Sequence, residues 1–124
     1  MRIALIDNDL GLCDLFKELC RQRGLEPLVE ASGAVAVNTL LHHRVDLAII
    51  DLGLTDLSGI QLIRQVRRNE KTFGFPSARI IVYTGYDVDS EIWEKIEVML
   101  KRAEIEGVIN KSVPLDELLD RYCV

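Results

Sequence analysis

The sequence VDLAII, residues 45–50, is the most continuous apolar run in the chain, and it is bounded by Asp51. A run this short and this apolar is typical of a β-strand that is covered on both faces of a parallel sheet. The segment that follows, DLGLTDLSG at residues 51–59, is rich in turn-forming residues. Since a carboxylate beside a buried strand is costly unless it is paired or used, Asp51 is the first candidate functional residue.

Short apolar runs alternate with helical periodicity in both directions from this strand. Four further strands are predicted, over residues 3–6, 26–31, 79–83 and 107–109. Helices are predicted over residues 10–23, 32–43, 60–69 and 87–103, a last helix begins near Pro114, and residues 71–77 are predicted to form a loop. Five strand–helix repeats indicate an α/β fold, a doubly wound parallel sheet of five strands with helices on both faces.

Composition narrows the class of protein. A chain of 124 residues with 48% hydrophobic content is predicted to form one domain over residues 1–124, with no separate output module. The net charge of −5 and the lack of a basic run disfavour nucleic-acid binding, and no apolar stretch is long enough to cross a membrane. Three cysteines without a C-x-x-C pattern, and an N-terminus unlike a signal peptide, predict a reduced, cytoplasmic protein.

Polar residues follow four of the five predicted strands. In open α/β sheets, ligands bind outside the carboxyl ends of the strands, so these residues are expected to lie on one rim. Crowded carboxylates repel one another, and Mg²⁺ relieves that repulsion with one or two carboxylates, waters and a phosphate oxygen. One aspartate can then attack phosphorus, while a lysine and a hydroxyl contact the phosphoryl oxygens. The residues concerned are Asp7, Asn8, Asp9, Asp51, Thr84, Asn110 and Lys111.

Each of these residues also has an ordinary structural interpretation. Asp9 could cap the helix that follows it. Thr84 alone would be a turn residue, and Lys111 alone a solvated surface charge. The combination, rather than any single residue, points to phosphoryl chemistry.

Four segments in a fixed order, IALIDND, AIIDLGLTDLSG, IIVYTG and GVINK, make the chain resemble a two-component response regulator receiver domain of the single-domain, chemotaxis-regulator-like type. The resemblance covers nearly the whole chain and implies a flavodoxin-like sheet with strand order 2-1-3-4-5. It also implies a switch rather than an enzyme with a separate substrate. The phosphoryl group would come from a histidine kinase or phosphotransfer protein, and an unidentified downstream protein would read the signal.

The resemblance assigns a role to each matching residue. Asp51 would be the phosphoacceptor, and Thr84 and Lys111 would contact the phosphoryl group. Val108 stands at the switch position. Mg²⁺ would be held by Asp7, Asn8, Asp51 and the backbone carbonyl of Gly53.

Several positions depart from the family pattern. Asn8 stands where a second acid is usual, so we expect weaker Mg²⁺ binding unless Asp9 substitutes. Val108 replaces a Tyr or Phe, which puts aromatic reorientation in question as the switch. Ser112 replaces a proline after the lysine, often in a cis bond, and a cis bond before serine costs more. Thr84 and Lys111 are 27 residues apart, a few more than is usual.

Two other functions remain open at this point. One is a degenerate receiver that acts by binding alone, without phosphorylation. The other is a haloacid-dehalogenase-like phosphatase with Asp7 as nucleophile and Asp9 as acid/base, since IALIDNDL resembles the D-x-D start of that superfamily.

Residues on the third and fourth predicted helices are interpreted as structural rather than functional. The fourth helix belongs to the signalling surface of the family, but its residues Trp93, Ile96 and Met99 are interpreted as core. The arginines at 64, 67 and 68 are interpreted as a solvated face that could also meet an acidic partner.

Overall fold

The computed structural model of the protein describes residues 1–54, 56–85 and 91–123. In these ranges five strands alternate with five helices, and no helix has both the length and the apolar character of a membrane span. The elements are β1 (Arg2–Ile6), α1 (Leu10–Gln22), β2 (Glu26–Glu30), α2 (Gly33–His42), β3 (Leu47–Ile50), α3 (Gly59–Phe73), β4 (Arg79–Thr84), α4 (Glu91–Arg102), β5 (Gly107–Asn110) and α5 (Leu115–Tyr122).

The strands form one parallel sheet in the order β2-β1-β3-β4-β5, which confirms the predicted fold. Ile50 pairs in register with Ile6 on one side and with Val82 on the other. On the far side of β4, Thr84 is opposite Asn110. The carboxyl ends of the strands therefore meet along one edge, where the predicted site residues follow them.

The sheet is buried on both faces because side chains of one strand alternate between two cores. Helices α2, α3 and α4 cover one face, and α1 and α5 cover the other. Trp93 and Ile96 are buried, as predicted, and Cys13 and Cys20 are buried on α1. Met99 is 39% exposed, so its interpretation as core is wrong.

Helix α3 is longer than the sequence predicted. It continues through residues 71–73, which were predicted to be loop, and ends where Gly74 adopts the left-handed conformation, φ 68°. The extension is held by Glu70, whose side chain is buried against Arg67 and the Ala78 backbone. The contact with Ala78 comes from beyond the end of the helix, where the periodicity of α3 gives no signal. The predicted start of α4 at residue 87 lies outside the described residues.

The start of α3 fixes the loop after Asp51. Ser58 caps the helix and forms a capping box with Gln61. Gly59 packs so closely on this loop that a Cβ atom would lie 2.7 Å from the Leu52 Cα, so only glycine fits. Residues 51 and 52 are thereby held against the first turn of α3.

Candidate functional site

The backbone of the sheet places the three charged residues of the site. Each of them is held by a backbone hydrogen bond to the neighbouring strand. Its N–H group donates to a carbonyl of that strand and so extends the parallel ladder by one residue. Asp51 donates to the Ile6 carbonyl at 3.0 Å, and Lys111 donates to the Thr84 carbonyl at 2.9 Å. The Asp7 N–H donates to the Glu30 carbonyl of β2 at 3.1 Å.

Asp7, Asp51 and Lys111 form one cluster. The Lys111 Nζ lies 2.8 Å from the Asp7 Oδ2 and 3.1 Å from the Asp51 Oδ2. Asp7 is fully buried and Asp51 is 7% exposed. The structure therefore brings together three residues that the sequence expected on one rim. With both carboxylates ionised, one ammonium faces two negative charges.

Hydrogen bonding in the cluster is incomplete. The Asp7 Oδ1 accepts from the Asp9 N–H at 2.9 Å, and the Asp51 Oδ1 accepts from the Gly53 N–H at 3.2 Å. The buried Asp7 Oδ2 faces the ammonium but has no aligned hydrogen-bond donor among the described residues. A buried carboxylate oxygen that lacks an aligned donor has lone pairs that could coordinate a cation.

Lys111 stays charged in this setting. Partial burial disfavours its ammonium, but the close contacts with the carboxylates of Asp7 and Asp51 and their negative charges outweigh burial and raise the pKa of Lys111. The lysine is thus held as a cation between the two carboxylates.

Thr84 ends β4 at the mouth of the same site. It is buried, and together with Asp51, Gly53, Gly85 and Lys111 it lines an open cleft of about 330 Å³. The cleft therefore brings Asp51, Thr84 and Lys111 together on its walls.

Asn8 and Asp9 differ in what they do. Asn8 is exposed next to Asp7. Asp9 caps α1, where its Oδ1 accepts from the Leu12 N–H at 3.2 Å, which confirms the capping interpretation.

In the described part of the chain no three His, Cys, Asp or Glu side chains group to hold a metal ion. The hard oxygen donors at hand are the carboxylates of Asp7 and Asp51, with the amide of Asn8 and the Gly53 carbonyl nearby.

Val108, at the predicted switch position, is half-buried in β5 opposite Val82. It packs on the core that covers the α4 side of the sheet.

The loop that carries Lys111 is tied down by side chains. The Lys111–Ser112 peptide bond is trans, as are all those in the described ranges. The Asn110 Oδ1 accepts from the Ser112 N–H at 2.8 Å, and the Tyr83 hydroxyl donates to the Val113 carbonyl at 2.6 Å. Burial raises the pKa of Tyr83, which keeps its hydroxyl a donor. Tyr83 was not among the predicted site residues, and its only signal in the sequence is its place before Thr84.

Asp56 was also missed, although it lies in the loop after Asp51. Its carboxylate accepts from the Ser32 Oγ at 2.6 Å and from the N–H groups of Gly33 and Ala34, each at 3.0 Å. These bonds, the Ser32 hydroxyl first, hold the pKa of Asp56 well below its usual range. The loop is therefore fastened to the start of α2. Its partners are 22 to 24 residues away, so no local pattern indicates the contact.

Comparison with known proteins gives one family. Residues 3–122 match the family model described as the response regulator receiver domain. The match runs from the second residue of β1 to the last residue of α5.

Individual relatives agree with the family match. The chain is 26% identical over 119 residues to the transcriptional regulatory protein KdpE of Mycobacterium tuberculosis, covering 96% of this chain and 48% of KdpE. It therefore spans about half the length of that relative. A CheY-like receiver domain protein from Methanospirillum hungatei JF-1 is 25% identical, with a TM-score of 0.80, covering 97% of this chain and 88% of that one.

A second solved structure has the same fold. The receiver domain of the sensor histidine kinase PA1611 from Pseudomonas aeruginosa PAO1 has a TM-score of 0.77 at 22% identity, covering 97% of this chain and 91% of that one. That protein holds a magnesium ion coordinated in its active site cleft.

Proposed function

Because this chain belongs to the response regulator receiver domain family, we propose that it is a switch that accepts a phosphoryl group on Asp51. The donor would be a histidine kinase or a phosphotransfer protein. The observation that carries the proposal is the cluster in which the Lys111 ammonium contacts both Asp7 and Asp51 at the mouth of an open cleft. The domain is proposed to span residues 1–124, and its cytoplasmic location stays a prediction.

The proposed transfer is a displacement at phosphorus. A carboxylate oxygen of Asp51 forms a bond to phosphorus while the bond from phosphorus to the donor nitrogen breaks, and the freed imidazole takes up a proton. Lys111 and the hydroxyl of Thr84 donate to the phosphoryl oxygens. Since Lys111 already contacts Asp51 at 3.1 Å, it needs little movement to do so.

The site suits Mg²⁺. Mg²⁺ prefers oxygen ligands, one or two carboxylates and several waters, and the buried Asp7 Oδ2 is an oxygen without an aligned donor. Asp7, Asn8, Asp51 and the Gly53 carbonyl are the proposed ligands. When bound, the ion would neutralise charge on the phosphoryl oxygens. Asp9 is not proposed as a ligand, because its carboxylate caps α1.

The signal is proposed to leave through protein contacts to an unidentified downstream protein. Phosphorylation adds about two negative charges beside Asp51, to which Thr84 can respond. Val108 has no ring to reorient, so the response would pass from Thr84 to α4 without an aromatic switch.

One second function has a specific observation in its favour. Asn8, Val108 and Ser112 all depart from the family pattern, as in a receiver that works by binding without phosphorylation. The phosphatase alternative has none, since its acid/base Asp9 is a helix cap.

Acetyl phosphate with Mg²⁺ tests the proposal. The intact mass should rise by one phosphoryl group, and Asp51→Asn should abolish the gain. Asp14→Asn, an exposed position on α1, is the matched control and should label like the wild type. No labelling of the folded wild-type protein would favour the binding-only receiver, and continuous phosphate release that requires Asp7 would favour the phosphatase.

A further inference from the structure

A groove with basic walls runs between α3 and α4. Its volume is about 450 Å³, and we call it the α3–α4 groove. Its lining includes Arg64, Arg68 and Lys71 of α3, and Met99 and Arg102 of α4. Arg68 and Lys71 lie in the C-terminal half of α3, Arg64 lies near its middle, and Met99 and Arg102 lie in the C-terminal half of α4. Since helices of a parallel α/β sheet run back from the carboxyl edge, the groove lies away from Asp51.

Three of the four arginines that line this groove are unlike the other arginines in the protein. The chain has ten arginines. Seven of them contact an acceptor, namely Arg2, Arg21, Arg23, Arg44, Arg67, Arg79 and Arg121. Within the described residues, the three that contact none are Arg64, Arg68 and Arg102, and all three line the groove. The unsatisfied guanidinium groups are therefore gathered on one surface of a chain with net charge −5.

Folding does not explain this gathering. Arg64 and Arg68 are four residues apart on one face of α3, a spacing at which like charges destabilise a helix by a few tenths of a kcal/mol. Arg67 lies between them, but it is turned inward to backbone carbonyls and Glu70. The prediction of a solvated face is thus wrong for Arg67, whose carbonyl partners are 11 to 37 residues away in sequence.

We propose that the α3–α4 groove binds an acidic segment of a partner protein. Guanidinium groups match carboxylates through paired hydrogen bonds. Met99, 39% exposed in the same groove, offers a flexible apolar contact for one hydrophobic side chain of that segment. Residues 64–71 of α3 span about 10 Å, enough for two carboxylates on one short segment. A nucleic acid fits less well, because the rest of the surface is acidic and would repel its phosphates.

The test uses a fluorescein-labelled synthetic peptide of eight residues, with six glutamates and two leucines. Its binding to the full, unphosphorylated chain is followed by fluorescence anisotropy at low salt, and the contact surface by amide NMR shifts. We expect shifts on α3 and the end of α4. The double variant Arg64→Gln, Arg68→Gln should weaken binding about tenfold, which corresponds to ~1.4 kcal/mol.

The matched control is the double variant Lys17→Gln, Lys101→Gln, which removes the same charge from exposed sites outside the groove. It should change the affinity by less than about twofold. The proposal would be overturned if both double variants lost the same affinity for the peptide. It would also be overturned if a peptide with glutamine in place of glutamate bound equally well. An eight-nucleotide single-stranded DNA that binds the groove more tightly than the peptide, or no binding at millimolar peptide, would overturn it as well.

The proposal does not rest on phosphorylation. Both double variants should keep the wild-type melting temperature and accept a phosphoryl group from acetyl phosphate as the wild type does. Loss of peptide binding at the groove and loss of phosphorylation at Asp51 can therefore be observed independently.

Discussion

Two clusters of buried charge lie near opposite edges of the same sheet, and they are built differently. Arg67 and Glu70 meet on α3 near the amino edge, whereas Asp7, Asp51 and Lys111 meet at the carboxyl edge. In the first cluster one cation, Arg67, meets one anion. In the second cluster one cation, Lys111, meets two anions.

The Arg67–Glu70 pair is satisfied by hydrogen bonds. Arg67 donates to the carbonyls of Ala103, Ala78 and Glu104 at 2.8, 2.8 and 3.0 Å. It also donates to Glu70 at 2.9 Å, whose other oxygen accepts from the Ala78 N–H at 2.7 Å. The pair joins α3 to the segments that precede β4 and β5, and nothing in it is left for a ligand.

The contrast indicates what each cluster is for. A neutral, fully bonded pair stabilises one arrangement of the chain. A pair of carboxylates that shares one lysine, with the Asp7 Oδ2 lacking an aligned donor, keeps capacity to bind a cation. The loss of a carboxylate should therefore destabilise the first cluster much more than the second.

The largest effect is expected from Glu70→Ala. It leaves the Arg67 guanidinium buried without its anion and should lower the free energy of unfolding by about 3 kcal/mol. Urea denaturation at neutral pH measures it. Glu70→Gln keeps an acceptor for the Ala78 N–H, so its free energy of unfolding should fall by less than that of Glu70→Ala. Asp7→Asn should lose less than about 1 kcal/mol, since it relieves repulsion, and a loss as large as that of Glu70→Ala would contradict the comparison.

Magnesium should stabilise only through the carboxyl-edge cluster. At 100 times its Kd, Mg²⁺ should raise the free energy of unfolding by about 2.7 kcal/mol, because it binds the folded state alone. Urea denaturation of Asp7→Asn at the same Mg²⁺ concentration should show little of this gain, whereas Glu70→Gln should show it in full. An equal gain in Asp7→Asn would mean that the ion binds elsewhere.

A smaller effect is expected from Asn8→Asp. A third carboxylate beside Asp7 should tighten Mg²⁺ binding about tenfold, or ~1.4 kcal/mol. A Mg²⁺ titration of the two proteins measures it, and equal affinities would contradict the idea. Asp9→Asn is the control: it should leave Mg²⁺ affinity within about twofold, since asparagine also caps helices.

The smallest effect concerns pH. Because folding raises the pKa of Lys111, the ion pairs with Asp7 and Asp51 stabilise the protein fully below the ordinary lysine value of 10.5. This stabilisation is lost as pH rises through the higher pKa of the folded state. The stability difference between wild type and Lys111→Met should therefore stay constant up to about pH 10 and shrink, by less than about 1 kcal/mol, as pH rises above the ordinary lysine value of 10.5. Lys17→Met, exposed on α1, should show no such trend.

The sequence predicted the fold well because the signals for it are local. Short apolar runs ending at Asp7, Asp51 and Thr84 place the strands, and the carboxyl-edge rule brings their ends together. The same rule predicted that Lys111 would lie near both aspartates.

What could not be predicted depends on partners far along the chain. The extra turn of α3 and the inward position of Arg67 rest on carbonyls up to 37 residues away. The bond from Asp56 to Ser32 crosses 24 residues. Local periodicity contains no information about such contacts, so Arg67 was indistinguishable from its solvated neighbours Arg64 and Arg68.

Strand order has a consequence for biosynthesis. Lys111 follows β5, which leaves the ribosome after the other four strands of this sheet, and lies 60 residues after Asp51. A nascent chain that ends before β5 holds two mutually repelling carboxylates without their lysine. The charged cluster is therefore completed only when β5 docks on β4, so its assembly reports that the whole sheet has formed.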